Sequence, residues 1–174
     1  GLPATGGAGD RVEAPPARAN ATAGFDRLYA DCGLEGVMDQ DAFRKAFESR
    51  TAHHAAGHII AVADMTRPST EKRLYIIDLD AQKLRWRTWV AHGKNSGELR
   101  CTSVSNASGS LQTSKGLYRV GRKIISPKQG EARRLQCLDA GINAAAGSRE
   151  IIIHGADYVG ADFSAAHGRL GGRF

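Results

Sequence analysis

After Gly57 the apolar residues stop recurring at helical steps and begin to alternate, a change that restricts the chain to a β domain behind a helical prefix. Ahead of it, Phe25, Leu28, Tyr29 and Cys32 fall on one helix face closed by Gly33. Asp39 or Asp41 can cap a second helix in which Phe43, Ala46 and Phe47 share a face. Beyond it come short β-rich runs at residues 58–64, 73–79 and 84–90, the first two parted by Arg67-Pro68-Ser69 and the last two by a hairpin turn at residues 80–83. In the third run Leu84, Trp86, Thr88 and Val90 alternate with Arg85, Arg87 and Trp89, which predicts one buried and one wet face. Further strands are predicted at residues 116–120, around Ile124, at 133–137 and at 150–153, with helical turns at 161–166 ended by Gly168. The expected fold is mainly β with a short N-terminal helical segment.

The 174 residues, 41% hydrophobic and 24% charged, suffice for one domain with a buried core and exclude a wholly disordered chain. No run approaches the roughly 18 apolar residues of a membrane-spanning helix. Residues 1–24 are Ala, Gly, Pro and Thr with few large apolar side chains, and are expected to form a flexible linker of the kind that follows a removed signal peptide or a membrane anchor. Residues 25–57 then form the helical prefix and 58–174 the β domain. The net charge of +6 is uneven: residues 67–134 carry 15 basic and 5 acidic side chains. Such a segment suits an anionic partner, nucleic acid included, or simply decorates solvent-facing strands. Cys32, Cys101 and Cys137 are an odd set without CxxC spacing, so neither a zinc site nor a disulfide framework follows.

Several residue patterns carry chemistry. Ser69-Thr70-Glu71-Lys72 has the Ser-x-x-Lys spacing of serine acyltransferases, but it follows Pro68 and leads into a strand rather than opening a buried helix. His54 and His58 have a two-ligand helical spacing, with His53 beside them, and no third ligand accompanies them. Cys101 with His92 would make a thiol and a base if the fold brought them together. Most informative is Ile151-Ile152-Ile153-His154-Gly155: three β-branched residues read as a buried strand that fixes His154 at its end, where the ring can serve as a general base or merely cap the strand. Gly168-Arg169-Leu170-Gly171-Gly172 can bring backbone N–H groups close to a ligand or form a plain turn.

Taken together, these stretches resemble the murein L,D-transpeptidase catalytic domains related to the YkuD type. The resemblance runs in order through residues 68–79, Val90-Ala91-His92-Gly93-Lys94-Asn95-Ser96-Gly97-Glu98, Ser105-Asn106, residues 109–116, Gly141-Ile142-Asn143, Ile153-His154-Gly155-Ala156-Asp157-Tyr158-Val159 and His167-Gly168-Arg169-Leu170-Gly171. It extends from about Phe25 to the last residue.

The resemblance implies a β-sandwich-like, cysteine-dependent acyltransferase that remodels peptidoglycan in the bacterial cell envelope, periplasmic or secreted. A thiolate attacks the carbonyl before the terminal D-alanine of a stem peptide, and the thioester passes to an amine of a neighbouring stem or to water. His154 matches the catalytic histidine and Gly155 the residue that orients its ring. Ser110, Gln112, Tyr118, His167 and Arg169 match positions facing the substrate. The implied partners are peptidoglycan stem peptides, with no nucleic acid, no cofactor and no metal; the domain is expected to be monomeric, with peripheral proximity to a membrane. In the family a Gly-Cys-Pro carrying the nucleophile follows the Gly-Arg-Leu-Gly segment. The sequence given stops at Phe174, so it is expected to be inactive as it stands, with the nucleophile a few residues further on. The alternative is a non-catalytic peptidoglycan-binding protein.

Overall fold

The computed structural model describes residues 17–172. Its elements run α1 (Ala17–Asp31), α2 (Gln40–Ala52), β1 (Ile59–Ala63), β2 (Leu74–Asp78), β3 (Lys83–Thr88), β4 (Tyr118–Ser126), β5 (Gly130–Cys137), α3 (Ala140–Asn143), a 3-10 turn (Ala144–Ala146), β6 (Ile152–His154) and α4 (Ala161–His167). The strands form two three-stranded antiparallel sheets, β1-β2-β3 and β4-β5-β6. This is the mainly β fold with a helical prefix that the apolar periods predict.

The prefix earns its place by burial. Phe25 and Tyr29 of α1, Cys32, Leu34 and Met38 of the connection, and Phe43 of α2 close over Val62, Tyr75 and Ile77 of the first sheet to form the hydrophobic core. Phe43 is fully buried, its ring 5.3 Å from Phe25 and 6.0 Å from Tyr29. The Tyr29 and Tyr75 hydroxyls donate to the carbonyls of Met38 and Val37, so the connection between the helices is tied to both layers. Asp39, not Asp41, is the cap of α2, its side chain accepting from Ala42 N at 3.0 Å. Helix α1 begins at Ala17, ahead of Phe25, because alanine supplies helix propensity without leaving an apolar stripe to read. The linker expectation therefore gives way to helix over residues 17–24, while residues 1–16 lie outside the described residues.

Four details differ from the sequence reading. Trp86 is 67% exposed, not buried. The β2–β3 register slips between Ile76 and Ile77, pairing Ile77 with Leu84 but Ile76 with Trp86. One extra residue in a strand reverses the faces of everything beyond it, so Trp86 leaves the core side that Leu84 occupies. The runs at 116–120 and Ile124 belong to one strand, β4, bent by a second irregularity between Val120 and Lys123. The Gly141-Ile142-Asn143 stretch, lying among segments read as loops, is helical. Finally, β6 is an edge strand paired only with β5, so its isoleucines are not fully buried and Ile153 is 37% exposed.

Candidate active site

Strand β6 ends at His154, which pairs with the buried Ala132 of β5. The His154 Nδ1 lies 2.7 Å from the Gly155 carbonyl oxygen. A carbonyl only accepts, so Nδ1 carries the proton and the Nε2 lone pair is the basic position of the ring. Gly155 thus fixes the tautomer through its own backbone, and a short pairing with β5 fixes the ring's origin.

The other end of β6 is anchored by a residue that sequence reasoning missed. Arg149 donates to the carbonyls of Ser105 and Gln112, both at 2.7 Å, and to Ser110 Oγ at 3.2 Å. Ser110 Oγ also accepts from Gln112 N at 3.3 Å, and Asn95 Nδ2 donates to the Ser110 carbonyl. Ser110 and Gln112 are therefore brought together in a loop clamped to the root of β6. Tyr118 lies at the start of β4 with its hydroxyl donating to Ser114 O at 3.0 Å, which closes the same loop. An arginine just before a strand carries no sequence signature of such a clamp, since its three acceptors lie far away in the chain.

Leu170 to Gly172 run between two walls. Leu170 N donates to the buried Ser69 Oγ at 3.1 Å, and Gly171 N donates to Tyr158 O at 3.0 Å. A Cβ on Gly171 would stand 2.6 Å from Tyr158 Cβ, and one on Gly172 would stand 2.5 Å from His92 O. Both glycines are required by close approach rather than by an unusual backbone angle. Ser69 is thus spent on the backbone, while Lys72 lies with Nζ 4.7 Å from the Trp89 ring centre, so the Ser-x-x-Lys spacing makes no acyltransfer pair. His53 Nδ1 bonds Ser49 O at the end of α2, and His58 instead faces Asp80 at 4.0 Å.

His92 forms the opposite wall and is locked at both nitrogens. The fully buried Arg73 donates to its Nδ1 at 2.9 Å, so Nε2 must carry the hydrogen that reaches Gly97 O at 3.0 Å. Burial first, and the adjacent Arg73 charge as well, push its pKa below the ordinary histidine value. A ring so engaged cannot take a proton from Cys101, whose Sγ lies 3.6 Å from Ser103 O. Arg73 itself donates to Val90 O and Arg67 O, and burial lowers its pKa, offset in part by Cys101 and then Asp64. Behind Arg73, Asp64 accepts from Thr66 through Oδ1 and leaves Oδ2 buried without a hydrogen bond among the described residues.

A cleft of about 320 Å³ lies between the His92 loop and the C-terminal segment, lined by Lys94, Asn95, Glu98 and Arg169 among others. Arg169 Nε meets Glu98 Oε2 at 2.8 Å across it. His167 does not line this cleft. Its ring stacks on Phe163 at 4.0 Å, and Nδ1 bonds Phe163 O within α4.

The family model for the YkuD-type L,D-transpeptidase catalytic domain matches residues 35–173. The chain belongs to that family. The match includes every strand of both sheets, the His92 loop, His154 and the Leu170–Gly172 segment, and leaves α1 outside it. No curated protein and no solved structure matches this chain significantly.

Proposed function

We propose that this L,D-transpeptidase domain acts on peptidoglycan stem peptides in the bacterial cell envelope as a cysteine-type acyltransferase, with His154 as its general base. The observation that carries this reading is the Nδ1–H bond to Gly155 O at the end of β6, which makes Nε2 the proton acceptor. His154 draws the proton from the nucleophilic thiol, the thiolate adds to the stem-peptide carbonyl, and the ring returns the proton to the departing D-alanine amine. The thioester is then opened by an amine of a neighbouring stem or by water, with His154 again taking the proton.

The nucleophile in this reading is none of the three cysteines present. Cys32 is buried in the core and its thiol is pushed up by burial, Cys101 has no free base at His92, and Cys137 pairs with Tyr118 in the second sheet. The reading assigns the nucleophile to the Gly-Cys-Pro that in the family follows the Gly-Arg-Leu-Gly segment, whose Gly171 and Gly172 here pass between Tyr158 and His92. Ser110, Gln112 and Tyr118 shape the substrate-facing loop, and His167 and Arg169 flank the approach to the nucleophile.

Reading the coding sequence past Phe174 tests this first. A Gly-Cys-Pro within a few codons is expected, and a stop codon would leave the peptidoglycan-binding reading in its place. In the protein carrying that cysteine, His154→Ala should slow acyl-enzyme formation by roughly 10²–10⁴-fold, followed as the mass of the adduct. Acylation at the wild-type rate removes His154 from the mechanism.

A further inference from the structure

We propose that Arg169 anchors the free α-carboxylate of the peptide substrate, and that Glu98 holds the guanidinium in that carboxylate's place until the substrate arrives. This rests on the peptidoglycan reading above and names the part of the stem that the cleft selects.

Arg169 is mounted on fixed backbone. The next two residues are pinned, Leu170 N to buried Ser69 and Gly171 N to Tyr158 O, and Arg169 Nη1 donates to Leu170 O at 3.2 Å, setting the plane of the group. Glu98 is the opposite case. Its side chain is 81% exposed, and its Oε2 approaches Arg169 Nε to 2.8 Å. A guanidinium offers a fork that two oxygens of a carboxylate fill together, a geometry open to an arriving carboxylate once the exposed Glu98 swings away. Exposed pairs of this kind are weak and give way to a modest competitor. Lys94, exposed on the same cleft, adds a second positive charge. The ligand that completes this arrangement is an anionic peptide end. A stem peptide ending in D-alanine supplies one, and losing that residue in the reaction releases the anchor along with the product.

The test is binding, which needs no nucleophile. The ¹⁵N-labelled chain is titrated with a stem tetrapeptide ending in a free carboxylate and with its C-terminal carboxamide. The free acid should bind about tenfold more tightly or better, the worth of a charge-assisted bidentate contact. Arg169→Gln should bring the two peptides to within about twofold, and Glu98→Gln should tighten the acid by about two- to fivefold while leaving the carboxamide unchanged. Equal affinities in the wild type overturn the anchor while the peptidoglycan reading stands. Preference for the acid that survives Arg169→Gln and disappears in Lys94→Met moves the anchor to Lys94 and overturns the assignment. No effect of Glu98→Gln overturns the placeholder. Binding of neither peptide overturns the peptidoglycan reading and this inference with it.

Discussion

The sheet β1-β2-β3 rests on α1 and α2 through Phe25, Tyr29, Phe43, Tyr75 and Ile77, all buried, whereas Ala132 is the one buried residue among the strands of β4-β5-β6. In that second sheet Val120 and Ile125 stand in solvent. What fixes its surroundings is polar: Arg149 on the 105–112 loop, Ser96 Oγ on Thr113 N, Asn143 on Leu117 O, and Ser69 on Leu170 N. The candidate active site takes His154, Ser110, Gln112 and Tyr118 from this polar side and borrows Ser69, Arg73 and His92 from the connections of the first sheet. Apolar burial stabilises without specifying direction, while hydrogen bonds specify direction and are each modest in net stability. A site built from the second kind of link keeps its geometry and can still open locally, because local unfolding there exposes little apolar surface.

That contrast can be broken at several strengths. Phe43→Ala removes the ring at the centre of the first core and should cost about 3–5 kcal/mol, read as a fall in the denaturant midpoint of the whole domain. An unchanged midpoint would show that the helical prefix is not the stability centre. Arg149→Met removes three charge-assisted bonds from a half-buried position and should cost about 2–3 kcal/mol. Its signature is local: amide exchange speeds up across residues 103–115 while the first sheet stays protected, and uniform loss of protection would erase the distinction between the two regions. Gly172→Ala drives a methyl toward His92 O and should cost about 1–3 kcal/mol, with chemical-shift changes concentrated at His92–Lys94.

Acid should strain the seam between the regions. Unfolded His92 takes up a proton near pH 6.5, while the buried ring beside Arg73 stays neutral to lower pH. The unfolded state then binds more protons, so stability is level above about pH 6.5 and declines as the pH falls toward the folded value. His92→Gln should flatten that part of the denaturation-midpoint profile, and an unchanged slope would assign it to other groups. The smallest effect belongs to the exposed Lys123–Glu131 pair on the second sheet, 2.7 Å apart, where Glu131→Gln should change stability by less than about 1 kcal/mol.

The parts of the fold legible in the sequence were those set by neighbours along the chain. The period of Phe25, Leu28, Tyr29 and Cys32 marks α1, Gly168 ends α4 in a left-handed conformation, and the β-rich runs coincide with the strands to within a few residues. The exceptions have a common cause. A register slip opposite Ile76 and Ile77 reversed the face of Trp86, and the edge position of β6 exposed Ile153; neither is a property of the strand's own residues. Among the candidate site residues, the placement of His154 at a strand end beside Gly155 was readable because it is set by adjacent residues.

By itself, then, the sequence determined the helical prefix, the strand-rich domain behind it and the histidine at the end of β6, all written in periods and adjacent residues. Only the tertiary structure decided that Arg149 clamps the 105–112 loop, that burial and the Arg73 bond keep His92 neutral and unavailable to Cys101, and that Glu98 meets Arg169. Those bonds join residues separated by long stretches of chain, and a hydrogen bond or ion pair depends on distance and angle in space, which no spacing along the chain encodes.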